Sequence, residues 1–370
     1  MTYSRQSDTS PRRALSAIGR AQVRYLLGAT SGLVADRFLG EPPAALHPVA
    51  AFGRTMAQLD RRLWRDSRTA GVGYAATGVG LGWAAGFALG SSIPAGAAAT
   101  WVVVAGRALG EEARAIGERL ADDDLDGART RLPALVGRDP ESLDAKGVAR
   151  AVVESVAENT VDAVVAPACW AAVGGPAGAG FYRAVNTLDA MVGHRNDRYQ
   201  RFGWAAARLD DAANWLPARL TGLLVAAARP AQAREVLDAV VHPPAHPSPN
   251  AGVAEAAFAA ALGLRLGGDT VYAGRVDPRP AFGSGRPPEA ADIDAAVRLS
   301  RDVTLALAAL LAAPAILGAI RPGAPNTGVR LLRSGGKGTP VRTDSRGRHN
   351  RRSFTGIRRK TNAGLEARSA

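Results

Sequence analysis

The sequence predicts an all-α, multi-pass integral membrane protein with a re-entrant helical hairpin and a disordered basic C-terminal tail. Three observations predict it. Residues 69–106 contain no charged side chain and are bracketed by Arg68 and Arg107. Residues 303–320 are likewise uncharged, with one proline, Pro314, which membrane helices tolerate. No run alternates apolar and polar residues with the period of two that a half-buried strand requires.

In chain order, residues 1–20 form a polar, basic N-terminus, 21–320 the membrane-embedded helical body, and 321–370 the tail. The apolar stretch 25–35 is short and lacks a convincing cleavage site, so it does not read as a signal peptide. A spanning helix needs roughly 20 apolar residues, so 69–106 suits two helices turned at Ser91-Ser92-Ile93-Pro94. Residues 106–120 carry charges at helical spacing, and 277–288, rich in Pro and Gly, read as a loop. Residues 163–182 are uncharged but split by Gly174-Gly175-Pro176, and 215–228 contain Arg219.

Charge and cysteine narrow the function. The 370 residues are 47% hydrophobic, which excludes global disorder, and carry a net charge of +13. Such a charge first points to nucleic acid or an anionic membrane. Its location redirects that reading. After residue 320 there are thirteen basic residues and two acids, so the body before it carries only +2. Phe354 is the sole aromatic of that segment, too few for base stacking, and nucleic acid is not expected as a partner. The basic tail places the C-terminus in the cytoplasm by the positive-inside tendency. A single cysteine, Cys169, excludes an intramolecular disulfide and a thiolate metal cluster.

Several familiar motifs fail. The segment 334–339 (SGGKGT) looks like a phosphate loop but has Gly after Lys337, and position 331 is Leu. His242 and His246 have i, i+4 spacing, but Pro243, Pro244 and Pro247 forbid the helix that would align them on zinc. There is no nucleophile elbow.

The residues that carry chemistry lie between 150 and 211. Arg150, Glu154, Glu158 and Asp162 recur every four residues, a charged stripe running into the apolar segment 163–182. Carboxylates at a membrane boundary are costly unless paired or bound to a cation. Asn-Thr-x-Asp occurs nearby at Asn186–Asp189, and Asn159 and Asp162 share the same i, i+3 face. Two such faces suit Mg²⁺, which takes carboxylates plus substrate phosphates. Asp210 and Asp211 add hard oxygen ligands, and Arg183, Arg195, Arg198 and Arg208 offer forked donors to phosphate. For both faces to serve one site, the chain must turn back at Gly174-Gly175-Pro176, which is the reason for expecting a hairpin.

The segments GEPPAALHPVAAFGR, VGRDPESLD, ARAVVESVAENTVDAVVAPACW, YRAVNTLDAMVGHRNDRYQRFGWAAARLDDAANWLPARLTGLL and SPNAGVAEAAFAAALGLRLGG, in order between residues 33 and 320, resemble the adenosylcobinamide-phosphate synthase family of cobalamin biosynthesis, the CobD/CbiB type. The resemblance implies an integral membrane ligase. It would use ATP and Mg²⁺ to join (R)-1-amino-2-propanol, or its O-phosphate, to the propionate carboxyl of adenosylcobyric acid. It also implies the lipid bilayer and other membrane enzymes of cobalamin assembly as partners. The chain departs from the family at Glu41 (commonly Asp), Val161-Asp162-Ala163 (Ser-Asp-Gly), His194 (Tyr) and Asp197 (Glu).

For such a reaction Glu158, Asn159, Asp162, Asp189, Asp210 and Asp211 are the expected metal set. Arg183, Asn186, Arg195, Asn196, Arg198 and Arg208 would face phosphate. Glu154, Glu158 or His194 would take the amine proton. His47 would be a second acceptor, a corrinoid contact or a loop-ordering hydrogen bond. Asn250 and Glu255 would contact substrate or simply start a helix, and Trp204 and Trp215 would touch the corrin. Two other readings compete: a membrane prenyl-type transferase using the Asn/Asp pairs on a diphosphate, and a non-enzymatic scaffold acting through its tail.

Overall fold

The computed structural model describes residues 11–43, 47–137, 139–194, 196–243, 246–268, 270–272, 275–277 and 280–320. Arg195 and the basic tail from Arg321 lie outside the described residues, as do the first ten. The described chain is almost entirely helical: α1 (Pro11–Leu39), α2 (Pro48–Leu63), α3 (Arg68–Ala88), α4 (Ile93–Val103), α5 (Gly106–Ala121), α6 (Leu125–Arg131), α7 (Ala145–Thr160), α8 (Ala166–Val192), α9 (Trp204–Ala228), α10 (Ala233–Val241), α11 (Ala251–Leu262) and α12 (Ala290–Ile320). Three stretches, Ile93–Ala121, Ala145–Val192 and Ala290–Leu317, are long and apolar enough to cross a membrane. Helix α3, uncharged after Arg68, falls below that mark because glycine fills so much of it.

The expected turn between α3 and α4 forms at Ser92, whose hydroxyl accepts the Ala95 amide and caps α4. Small residues then let these helices pack backbone to backbone. A Cβ on Gly28 of α1 would come within 2.9 Å of the Gly96 Cα of α4, and one on Gly32 would strike Thr100. This small-xxx-small contact is common where helices associate in lipid, which offers them no hydrophobic drive. Large apolar side chains face outward on several helices: Trp83 and Phe87 on α3, Leu216 on α9, Leu305 and Leu317 on α12. A band of that kind suits acyl chains better than water.

The hairpin expectation concerns α8. Gly175 has φ 60° and ψ −147°, outside helical space, and Pro176 follows it. The limbs on either side touch. The rings of Trp170 and Phe181 lie 4.9 Å apart, and the Tyr182 hydroxyl donates to the Asp162 carbonyl at 3.3 Å. Along a straight helix, residues 162 and 182 would be about 30 Å apart. The chain therefore doubles back at Gly175, with the Tyr25 ring packed where a Cβ would otherwise project.

Between α7 and α8, Val161–Val165 widen into one π turn. Such a turn loosens the i to i−4 ladder and releases carbonyls. Two are taken up by tertiary donors: the Asp162 carbonyl by Tyr182, and the Ala163 carbonyl by the Ala105 amide at 2.9 Å. Helix α7 is buried on nearly every face, against α5, α11 and α12, and forms the axis of the core.

Between α11 and α12 lie two short antiparallel ribbons, β1 (Leu266–Gly267) with β4 (Ala281–Phe282), and β2 (Thr270–Tyr272) with β3 (Arg275–Asp277); of these, β4 falls inside the expected loop 277–288. Strands of two or three residues are too short to show a period-two pattern, which is why the sequence does not reveal them.

Candidate active site

A cavity of about 630 Å³ opens where the end of α7, the π turn, the end of α8, the start of α9 and the loop before α11 meet. Glu158, Asp162, Asp189, Asp210 and Asp211 line it, with His194 exposed at its mouth. The two limbs of α8 are what bring this set together. Asp162 precedes the reversal and Asp189 follows it, yet Asp162 lies within electrostatic reach of Asp210, Glu158 and Asp189.

Asp210 is the most fully oriented of these acids. Asn214 Nδ2 donates to one oxygen at 3.0 Å and Asn186 Nδ2 approaches the other at 3.5 Å. Asn214 is fixed in turn by the Tyr182 hydroxyl, which donates to its Oδ1 at 2.8 Å. Burial, reinforced by the neighbouring Asp189, pushes the Asp210 carboxyl up to about 7 despite those amide donors. Asn214 and Tyr182 are absent from the sequence-derived set, although Asn214, four residues after Asp210, offered helical spacing as a signal.

Other expected residues lie elsewhere. Arg198 does not face the cavity: it pairs with Asp60 at 3.3 Å and stacks on Trp64 and Tyr199. The segment 196–203 carries it toward α2, where an apolar cluster around Met56, Tyr74 and Phe202 anchors the turn. Asn196 caps that turn, accepting the Tyr199 amide at 2.8 Å. His47 caps α2 through Nδ1 and the Val49 amide, the loop-ordering alternative. Asn159 donates back to the Ser155 carbonyl at 2.9 Å and does not line the cavity. Arg208 is exposed beside Asp211, whereas Arg183 is half-buried and within reach of Asp162.

Glu154 lines the cavity but is only 2% exposed, and its Oε1 accepts the Gly267 amide at 2.7 Å. Arg150 donates to the Gly267 carbonyl at 2.9 Å, so the upper half of the acidic stripe clamps β1 to α7. Asn250 precedes α11 without capping it. Its amide donates to the Asp211 carbonyl at 2.8 Å and its oxygen accepts Arg219 at 3.0 Å, while Ser248 takes over the capping. Trp215 is covered by Arg219, and Trp204 by Arg68.

The zinc pair of the sequence divides. His242 is exposed beside Asp238, whereas His246 is buried at the cavity wall. Carboxylate oxygens of Glu158 and Glu255 and a ring nitrogen of His246 all lie within 4.8 Å of one another. Testing His246 only as a helical partner of His242 hides this, because its real partners come from α7 and α11.

Fold and site together define a helical protein of membrane type, with an acidic, cation-ready cavity at the base of a doubled-back helix. The family described as CobD/Cbib protein matches residues 29–300, and the chain belongs to that family. A relative from Mycobacterium tuberculosis (strain H37Rv), named cobalamin biosynthesis protein CobD, is 47% identical over 294 residues, covering 77% of this chain and 94% of its own. Relatives of the same name from Chromobacterium violaceum and Rhodobacter capsulatus are 42% and 40% identical. They cover 78% and 76% of this chain, and 96% and 95% of their own lengths. No solved structure matches.

Proposed function

We propose that the chain acts in cobalamin biosynthesis as an ATP- and Mg²⁺-dependent amide ligase, joining aminopropanol or its phosphate to a corrinoid propionate. The carrying observation is the composition of the cavity wall. Its described ionisable residues are five aspartates and glutamates in contact range of solvent, the tied Glu154, and two histidines, with no lysine or arginine among them. A polyphosphate or a carboxylate can enter so acidic a space only with its charge neutralised by cations. Asp162, Asp189 and Asp210 fit that need, being hard oxygen donors brought together from the π turn, α8 and α9. Bound there, Mg²⁺ would shield the triphosphate and withdraw charge from the phosphoryl group under attack.

The chain's own residues then account for the remaining steps. A carboxylate is a poor electrophile, so its oxygen first attacks the γ-phosphorus of ATP, releasing ADP and leaving an acyl phosphate. The amine attacks the acyl carbon and phosphate departs. One proton must leave the incoming ammonium before this attack, and His194 stands exposed at the mouth to take it. Glu154 holds Gly267 and is a positioning group in this reading. Arg183, beside Asp162, and Arg208, beside Asp211, supply guanidinium groups at the edge of this set.

The test is product formation by purified protein from adenosylcobyric acid, aminopropanol or its phosphate, and Mg–ATP. Asp162→Ala and Asp189→Ala, each folded by melting and elution criteria, should abolish product. Wild-type turnover in either variant removes the metal assignment, and ATP-independent turnover removes the ligase.

A further inference from the structure

We infer that Glu158, His246 and Glu255 form a second cation site, one that takes a borderline first-row divalent ion such as Zn²⁺ rather than Mg²⁺. The three come from different parts of the fold: the last turn of α7, the Pro-bounded loop 246–249, and the first turns of α11. Their donor atoms all fall within 4.8 Å of one another, close enough to converge on one ion. The His246 and Glu255 side chains are 5% and 3% exposed, and Glu158 is half-buried beside them.

The histidine geometry suits a metal ligand. His246 Nε2 lies 3.7 Å from Glu255 Oε1. That is too long for a hydrogen bond and near the roughly 3.4 Å between two donors on a tetrahedral ion with bonds of about 2.0–2.1 Å. His246 Nδ1 lies 3.1 Å from the Ser248 carbonyl. The tautomer that donates there leaves the Nε2 lone pair toward the carboxylates, the arrangement by which metal-bound histidines are usually oriented. The other tautomer would accept the Ser248 amide, 3.0 Å away, and would aim a proton at Glu255 across a gap too wide to use.

Donor chemistry selects the ion. Mg²⁺ favours all-oxygen octahedral sites, whereas an imidazole with two carboxylates suits Zn²⁺ and its neighbours. Three protein ligands leave a coordination position open, and the set borders the 630 Å³ cavity through Glu158 and His246. The site is thus placed to polarise a substrate oxygen beside the aspartate group. The inference stands apart from the ligase reading, because it concerns ion retention without ATP.

The full-length protein, purified in detergent and stripped with a chelator, is dialysed against Zn²⁺ or Co²⁺ with Mg²⁺ in excess, and metal is counted by mass spectrometry. One equivalent of Zn²⁺ per chain is expected. His246→Gln and Glu255→Gln, nearly isosteric changes, should each weaken retention by about tenfold or more. Asp189→Asn should retain the ion while losing Mg–ATP turnover, which keeps the two readings distinguishable. X-ray absorption at the zinc edge of the wild-type protein should show outer-shell scattering from one imidazole. Zinc content equal in wild type and both variants, or a zinc edge without imidazole scattering, overturns the site.

Discussion

At the residue scale, Asp210 sets the pH response of the cavity. Its carboxyl sits near 7 in the fold, against an ordinary value of 3.8, because burial and Asp189 disfavour its charge. A raised folded-state value means that the metal-free fold holds this proton more tightly than the unfolded chain does. The proton's contribution is therefore complete below the unfolded value and is lost as pH rises through about 7. Mg²⁺ bound as proposed would need the ionised form and compete with that proton. Melting of the detergent-solubilised protein should thus show a Mg²⁺-induced rise in Tm that is larger at about pH 8 than at about pH 6. In Asp210→Asn the difference between the two pH values should shrink. An equal Mg²⁺ effect at both pH values in wild type would remove Asp210 from the cation site. The carboxylates of this site were legible in the sequence, since Asp162, Asp189, Asp210 and Asp211 all line one cavity. Their guanidinium partners were less so: Arg198 is diverted to Asp60 by the packing of a turn, a tertiary outcome that spacing along the chain cannot express.

At the scale of elements, the reversal in α8 and the π turn before it create the site. The sequence showed the reversal because Gly174-Gly175-Pro176 interrupts an apolar run with residues that break helices. The π turn left no such mark: Val161-Asp162-Ala163 reads as ordinary helix, and the widening emerges only from donors at Tyr182 and Ala105 that lie far away in sequence. The β1–β4 ribbon was hidden for a similar reason, since Gly267 of β1 is held by Glu154 and Arg150 on a distant helix. Gly175 gives a direct test of the reversal. Its backbone region is closed to residues with a Cβ, and a Cβ there would also meet the Tyr25 ring at 2.5 Å. Gly175→Ala should cost roughly 1–3 kcal/mol from the backbone alone, read as a fall in Tm and in product formation. Gly174→Ala next to it, with open space around its Cβ, should change Tm little. Equal effects at the two positions would count against the hairpin.

At the scale of the molecule, the doubled-back helix makes a claim about sidedness. A limb pair that returns to its starting level puts Glu158 and His194 on the same side of the bilayer, whereas a straight crossing would separate them. The charge of the tail makes a separate prediction, about the C-terminus alone. Residues 321–370 carry +11 and follow α12, one of the stretches able to cross a membrane. Short flanks rich in Lys and Arg are retained in the cytoplasm. A phosphatase reporter fused after Ala370, held in the cytoplasm, should accordingly be inactive, and a fluorescent protein fused there should fluoresce. Glu158→Cys and His194→Cys, each in a Cys169→Ala background, should both be blocked by an impermeant thiol reagent in vesicles of the same orientation. Labelling from opposite faces breaks the hairpin. Deletion of the residues after 320 separates enzyme from scaffold in the same membranes. The matched family region ends at residue 300, so an enzyme whose chemistry resides in the acidic cavity should retain its turnover without the tail. Loss of turnover in correctly inserted, fully folded truncated protein would place part of the activity in that basic segment.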